Sequence, residues 1–201
     1  MADILYIYGD KVYANLTNRC NLGCEFCIRK NGDGVGSANC LWHTQPPTFE
    51  KVKDAIDNFN WENYRDLVFC GYGEPTCALN VLLATAQYMK QHHPNIKLRL
   101  DTNGTSDLYN GQPTAKKLSQ WIDTVSISLN APNKEAYDKL CHPELPGSWE
   151  AMLRFAKESK DCFSGVMFTL VDVIPPQQIQ QCQQLADQMG IPLRIREYVA
   201  E

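Results

Sequence analysis

The chain is organised around Thr17-Asn18-Arg19-Cys20-Asn21-Leu22-Gly23-Cys24-Glu25-Phe26-Cys27, which directly follows a strand-like run over residues 11–16. We call residues 17–27 the cysteine loop. Its three cysteines have C-x3-C-x2-C spacing, which is tight enough for three thiolates to converge on one centre without help from a distant part of the chain. The spacing therefore predicts a metal site immediately after a strand.

The number of thiolates distinguishes two kinds of metal site. An iron–sulfur cluster held by four cysteines carries electrons, whereas three cysteines leave one iron open to another ligand, as catalytic zinc sites keep one position free. The alternative is a structural zinc site with Cys40 or His43 as the fourth ligand. Zinc ligands usually come as two C-x2-4-C pairs. A single group of three favours the iron–sulfur interpretation.

Composition limits the class of protein. The 201 residues carry a net charge of −4, and their number fits a single domain, residues 1–201, with a sizeable core. The charge argues against a protein that coats nucleic acid, and no apolar run approaches the ~18 residues of a membrane span. Residues 1–8 lack a basic flank and are too short for a signal peptide. We therefore expect a cytoplasmic protein.

The chain has nine cysteines, and without a signal peptide metal binding explains them better than disulfides. Cys40 and Cys77 lie in predicted loops and have no assigned role. Four others lie in apolar or helical surroundings and are expected to be packing residues: Cys70, Cys141, Cys162 and Cys182.

Strands and helices alternate along the chain. Hydrophobic periodicity predicts strands at 4–8, 11–16, 67–70, 96–100, 124–130, 165–173 and 193–199, and helices at 49–59, 81–92, 114–122, 133–140, 148–161 and 176–189. The alternation implies βα units and a mainly parallel sheet. An irregular, glycine-containing stretch occupies residues 28–47. Loops of this length are usually functional or disordered, and we expect this one to cover the metal site.

The strands indicate which α/β architecture this is. Parallel strands that are buried on both faces are unbroken apolar runs. Here Arg99 and Asp101 share one face of a strand, and Leu98 and Leu100 share the other. In the last strand, Ile195 is assigned to the apolar, helix-covered face. Helices on one side and polar residues on the other suit a curved, open barrel with a lined interior, preceded by a short N-terminal hairpin.

The cysteine loop, with an aromatic residue directly before its third cysteine, resembles the cluster loop of radical SAM enzymes. The resemblance implies a [4Fe-4S] cluster held by Cys20, Cys24 and Cys27, whose open iron chelates the amino and carboxylate groups of S-adenosylmethionine (SAM). It also implies cleavage of SAM to a 5′-deoxyadenosyl radical, chemistry that belongs to the cofactor while the protein supplies position and shielding. The superfamily's fold is a partial (β/α)6 TIM-like barrel, consistent with the six βα steps expected here.

A second motif, Gly71-Tyr72-Gly73-Glu74-Pro75, ends the next predicted strand. Active sites of parallel barrels gather at that end. The motif resembles the superfamily's "GGE" element, which binds the methionyl amino group of SAM, although Tyr72 replaces a common glycine. The resemblance implies roles for Gly73, where a carbonyl can approach an ammonium closely, and for Glu74, which adds charge-assisted bonding. In isolation the motif would be a turn.

A third motif, Asp101-Thr102-Asn103-Gly104, is similar to a tetrapeptide that reaches the SAM ribose in activating enzymes of glycyl-radical proteins. The resemblance implies ribose contacts from Asp101 and Asn103. The alternative is an Asx-type turn. By position, Ser128 and Asn130 resemble the superfamily's contacts to the ribose and the carboxylate.

Two further side chains complete the predicted SAM site. Phe26 matches the aromatic residue that usually lies near adenine, with core packing as the alternative. Of Arg194 and Arg196, one is expected to form an ion pair inside the barrel. The other, for which we take Arg196, is expected to clamp the carboxylate of SAM or an anionic substrate.

Over nearly the full length, notably at residues 27–36, 70–76 and 126–132, the chain looks like the TatD-associated radical SAM proteins, short cytoplasmic proteins named for a neighbouring TatD-type hydrolase gene. The resemblance implies a radical SAM enzyme acting on a small-molecule or polypeptide substrate. A flavodoxin or ferredoxin would donate the electron, and the enzyme would be functionally linked to a TatD-type hydrolase. No catalytic residue beyond the cluster is assigned. The alternatives are an activating enzyme for a glycyl-radical protein, a zinc-stabilised binding module and a SAM-binding sensor.

Overall fold

The computed structural model describes residues 2–198 and has a seven-stranded sheet at its centre. In order across the sheet, the strands are β1 (Leu5–Tyr8), β2 (Lys11–Ala14), β3 (Asp66–Phe69), β4 (Lys97–Thr102), β5 (Thr124–Ser128), β6 (Gly165–Val171) and β7 (Leu193–Arg196). β1 and β2 form an antiparallel hairpin, and every later neighbour pairs in parallel. The predicted α/β fold, an open barrel of six parallel strands with an N-terminal hairpin, is confirmed.

Helices connect the parallel strands. They are α1 (Phe49–Asp57), α2 (Leu79–His92), α3 (Ser106–Asn110), α4 (Ala115–Leu118), α5 (Lys134–Cys141), α6 (Ser148–Cys162) and α7 (Pro176–Met189). None of the helices in the described part of the chain is both long and apolar enough to cross a membrane. Gly190, with φ +62°, ends α7 as the sequence predicts.

The core lies between the sheet and the helices. Leu98, Leu100 and Ile127 are fully buried on the helix-covered face, and burying each such side chain contributes about 1.5–3 kcal/mol. Arg99 and Asp101 alternate with these leucines and face the barrel interior, where they are only partly buried. The polar lining is thus placed inside the curve of the sheet, at the ends of the strands.

Three details differ from the sequence-based expectation. Helix α3 was not predicted, and α4 ends at Leu118 rather than near residue 122. The assignment of Ile195 to a covered face was wrong, because its side chain is 49% exposed. β7 is the last strand of the sheet, so it has a neighbouring strand on one side only. Residue 1 and residues 199–201, which include the predicted end of the last strand, lie outside the described residues.

Candidate active site

A cavity of about 280 Å³ lies at the carboxyl ends of the parallel strands, close to the lower end of the range for ligand pockets, about 300–1,000 Å³. Every residue that the sequence analysis assigned to the site lines it. These residues are Cys20, Cys24, Cys27, Phe26, Gly73, Glu74, Asp101, Asn103, Ser128, Asn130 and Arg196. Segments far apart in the chain therefore meet at one place, as a parallel barrel requires.

All three cysteines of the loop are free and partly buried. Burial raises the pKa of Cys20 to about 12. A hydrogen bond with Cys141, followed by burial, raises the pKa of Cys24 far above its usual range. The nearby charge of Arg29 opposes both rises. The protein alone therefore disfavours the thiolates of Cys20 and Cys24, and bound iron would supply positive charge beside them.

The donor set fits a cluster better than a single ion. Within residues 2–198, no three His, Cys, Asp or Glu side chains are arranged to hold one metal ion. A cluster of several irons separates its thiolates more widely than one ion does. Cys40 Sγ lies 3.9 Å from the carbonyl oxygen of Trp42, and His43 Nε2 lies 2.9 Å from that of Asn15. Both side chains therefore have backbone partners of their own in the structure.

The cysteine loop is held by the end of α5. Gly23 N donates to Cys141 O (2.9 Å), Glu25 N donates to Leu140 O (3.0 Å), and Leu22 forms an isolated β-bridge with Pro143. His142, which directly follows the end of α5, has φ +44°, an uncommon conformation for a residue other than glycine. We call residues 140–144 the α5 clasp, because they fix the loop that carries the thiols.

Glycine at position 73 is required by a close approach of the backbone. A Cβ at Gly73 would lie 2.3 Å from Thr17 O and 2.6 Å from Arg19 O, and one at Gly71 would lie 2.2 Å from Asn15 Oδ1. Residues 71–75, which follow β3 and which we call the β3 turn, therefore pass directly against the cysteine loop. Glu74 N donates to Arg19 O (2.8 Å). The motif suggests that Gly73 lets a carbonyl approach an ammonium closely. The structure adds a steric reason for glycine at this position.

Glu74 is the centre of a buried hydrogen-bond network, with only 4% of its surface exposed. Its Oε1 accepts from Thr76 N (3.1 Å), Thr76 Oγ1 (2.8 Å) and Thr102 Oγ1 (2.7 Å), and its Oε2 accepts from Asn103 N (2.7 Å). Burial raises the pKa of Glu74, and these hydrogen bonds oppose the rise. The carboxylate ties the β3 turn to the end of β4.

The end of β4 contains the Asx turn that is the alternative interpretation of its tetrapeptide. Asp101 forms an ion pair with Arg99, in which Nη2 donates to Oδ2 (3.1 Å) and Nε lies 2.8 Å from Oδ1 but is poorly aligned for a hydrogen bond. Burial raises the pKa of Asp101, and Arg99 opposes the rise. Asn103 Oδ1 accepts from Thr105 N (2.9 Å), which is an Asx turn, and Asn103 Nδ2 donates to Asn21 Oδ1 (2.9 Å). Both residues still line the cavity.

The remaining predicted contacts lie around the same cavity. Ser128 ends β5, and Asn130 follows in a left-handed conformation (φ +59°). Phe26 is partly buried and packs against the core as well as lining the cavity. The Arg196 side chain is exposed at the end of β7, and it forms no ion pair with any described residue.

Several residues that position the site were not recognised from the sequence. Asn15 and Asn21 are completely buried amides that bind to segments far along the chain. Arg29 lies near two of the thiols, and Cys141 is buried against Cys24 rather than serving only as packing. Cys70, also expected in the core, lines the cavity. The only signal in the sequence was their position, since Asn21 lies within the cysteine loop and Asn15 lies shortly before it.

A model of the radical SAM superfamily matches residues 14–189 of the chain. This chain belongs to the radical SAM superfamily. Members of this superfamily are enzymes that use a [4Fe-4S] cluster and SAM, act on peptide or small-molecule substrates and require an electron donor.

Two curated relatives are similar in sequence. A dual-specificity RNA methyltransferase RlmN of Nitratiruptor sp. is 31% identical over 144 residues, which are 69% of this chain and 38% of that protein. An uncharacterized protein of Methanocaldococcus jannaschii is 27% identical over 116 residues, which are 57% of this chain and 36% of that protein. The chain thus matches little more than a third of the length of these two relatives.

Solved structures share the fold. Methylornithine synthase (PylB) superposes with a TM-score of 0.67 at 14% identity, over 94% of this chain and 53% of that one. The structure of anSMEcpe with bound AdoMet superposes with a TM-score of 0.64 at 19% identity, over 93% of this chain and 50% of that one. SuiB of Streptococcus suis, bound to precursor peptide SuiA, superposes with a TM-score of 0.63 at 17% identity, over 96% of this chain and 40% of that one. At these identities the likeness establishes the radical SAM fold and nothing finer.

Proposed function

We propose that this chain is a radical SAM enzyme in which Cys20, Cys24 and Cys27 hold a [4Fe-4S] cluster. The observation that supports this best is the meeting of all three thiols with the predicted SAM-binding residues in one cavity. When bound, the cluster and SAM supply a 5′-deoxyadenosyl radical that abstracts hydrogen from the substrate. Residues 1–201 would act as one domain.

The chain's own residues would bind and orient SAM. The carbonyl of Gly73 is available to the methionyl ammonium, because the glycine has no side chain in the way. Glu74 would act by holding the β3 turn and the end of β4 together, since its oxygens already accept four hydrogen bonds. Asp101 and Ser128 would accept from the ribose, and Asn130 would contact the carboxylate.

Two side chains would fix the ends of SAM. Phe26 offers an aromatic surface for adenine, and Arg196 offers an exposed guanidinium for a carboxylate. Asn103 would act chiefly through its bond to Asn21 in the cysteine loop. The loop 28–47 contributes Ile28, Val35 and Leu41 to the cavity wall, a position suited to excluding water and oxygen from the radical.

Within the superfamily, we assign the chain to the TatD-associated family of cytoplasmic radical SAM proteins. The resemblance at residues 27–36, 70–76 and 126–132 supports this assignment. A flavodoxin or ferredoxin would supply the electron, and a TatD-type hydrolase would be functionally linked.

Activation of a glycyl-radical protein is a second candidate function. It would need an open barrel mouth, and the exposed Tyr8 and Tyr198, which follow from the two edge strands, both line the cavity.

Anaerobic reconstitution with iron and sulfide tests the proposal. The wild type and Cys40→Ala should gain a broad absorbance near about 400 nm, typical of iron–sulfur sites, which Cys24→Ala should lack. After reduction with dithionite, the wild type should convert SAM to methionine and 5′-deoxyadenosine. Stoichiometric zinc in place of iron would support a zinc module instead. A cluster that binds SAM without cleaving it would support a sensor.

A further inference from the structure

The Cys141 thiol lies against the cysteine loop at the end of α5. The residues that flank Cys24 in the chain both donate to this helix end, Gly23 N to Cys141 O (2.9 Å) and Glu25 N to Leu140 O (3.0 Å). This pairing sets Cys24 directly beside Cys141. Cys141 is a free thiol with no exposed surface, so its polar atom must find a partner within the protein.

Asn130 binds the same thiol from the other side. Its Nδ2 donates to Cys141 Sγ at 3.7 Å, a distance that suits a sulfur acceptor. Asn130 does so from a left-handed backbone (φ +59°), a conformation that is uncommon outside glycine but that asparagine adopts more readily than most residues. With its sulfur accepting from Asn130, Cys141 has its own S–H to give, and the neighbouring sulfur is that of Cys24.

The Cys24 and Cys141 thiols are hydrogen-bonded to each other. In the metal-free chain either thiol could donate. Once Cys24 binds iron it has lost its proton, so Cys141 becomes the donor and the direction of the hydrogen bond is fixed.

We propose that Cys141 is a positioning residue for the cluster. The Cys141 S–H donates to the Cys24 sulfur and so raises the reduction potential of the cluster. This inference rests on the proposed function. Hydrogen bonds to cluster sulfurs help to set the potential. Reduction adds one electron from the external electron donor and therefore one negative charge, which a hydrogen-bond donor stabilises. The chain Asn130–Cys141–Cys24 strengthens each successive hydrogen bond.

A redox titration of the reconstituted protein, followed by electron paramagnetic resonance of the reduced cluster, tests this. Cys141→Ala and Cys141→Val both remove the donor, and valine keeps most of the volume. Cys141→Ser restores a donor. The control is Cys182→Ala, which removes an equally buried thiol from α7. Iron and sulfide contents are measured for every variant.

At a fixed potential, the ratio of reduced to oxidised cluster should fall about fivefold in the alanine and valine variants, a shift of about 40 mV at about 59 mV per tenfold. The serine variant should regain most of this ratio, and Cys182→Ala should match the wild type. A wild-type potential in fully loaded Cys141→Ala or Cys141→Val would overturn the inference. So would equal shifts in the serine and valine variants. Failure of the wild type to assemble any cluster would instead contradict the proposed function.

Discussion

At the scale of single residues, the site depends on buried polar groups that face one another rather than the ligand. Glu74 accepts hydrogen bonds from two segments, and Asn103 joins one of them to Asn21 in the cysteine loop. Buried polar networks of this kind are costly when one member is lost, because the partners are left unsatisfied. Residues assigned to SAM binding therefore also hold the site together.

We expect Glu74→Gln to lower the free energy of unfolding by about 1–3 kcal/mol and to weaken SAM binding. The glutamine amide would turn an NH2 group toward a donor, either the hydroxyls of Thr76 and Thr102 or the backbone N–H of Asn103. Urea unfolding measures the loss. Glu158→Gln, on the exposed face of α6, should leave both properties unchanged, and an equal effect in the two variants would contradict this account.

Gly73→Ala should prevent cluster assembly. The added Cβ would lie within 2.6 Å of two backbone oxygens, those of Thr17 and Arg19, and backbone cannot move aside as a side-chain end can. Iron content after reconstitution is the measurement. Gly32→Ala is the matched control, because a Cβ there meets nothing within 4 Å. Normal iron loading in Gly73→Ala would show that the β3 turn does not need this close approach.

The sequence was most informative about residues whose chemistry defines a motif. Cysteine spacing and the motifs at the ends of β3 and β4 were enough to bring all the assigned residues into one cavity. The buried amides of Asn15 and Asn21 were not recognised, because an asparagine in a loop has no partner until the fold brings distant backbone to it. For the same reason Cys141 was interpreted as packing alone.

At the scale of elements, the loop 28–47 is irregular yet firmly attached. Its Ser37 N donates to Ile7 O (2.9 Å) and its Ser37 Oγ accepts from Ile7 N (2.8 Å), which fixes it to β1. Tyr72 Oη donates to Gly32 O (2.7 Å). The expectation that this stretch covers the site agrees with its place in the cavity wall. Its anchoring to β1 was not predicted, since it uses single polar contacts rather than a periodic pattern.

Asn15 is the residue that joins this loop to the sheet, and Asn15→Ala should release it. Asn15 Nδ2 donates to Leu41 O (2.7 Å) and its Oδ1 accepts from Tyr72 N (3.1 Å), both buried. Each group left unsatisfied costs about 1–3 kcal/mol. Limited proteolysis should cut the variant faster within residues 28–47. Asn95→Ala, at an exposed position, should be cut at the wild-type rate, and unchanged cleavage in Asn15→Ala would refute the anchoring role.

At the scale of the whole molecule, the sheet curves but stays open between β1 and β7. Long strands and helices with a clear apolar period were predictable, because their burial follows directly from the pattern. Ile195 was placed wrongly, since periodicity identifies the apolar face of a strand but not whether a helix covers it at the edge of a sheet. The short α3 was missed because its five residues are too few to show a period.

The uncovered edge leads to a stability prediction. Ile195→Ala should change the free energy of unfolding by less than about 0.5 kcal/mol, as at exposed positions generally. Ile127→Ala, the same substitution at a fully buried position of β5, should cost about 2–5 kcal/mol. Chemical denaturation compares them. A large loss for Ile195→Ala would mean that its side chain is covered in solution.

The α5 clasp has a consequence for how the protein is made. Arg19 pairs with Glu144 across 125 positions of the chain, and the bond from Gly23 to Cys141 spans a similar separation. A ribosome that has made the first hundred residues has produced all three thiol ligands but not the helix end that holds them. Iron delivered to the nascent polypeptide would meet an unsupported loop, so loading belongs after synthesis has passed Glu144.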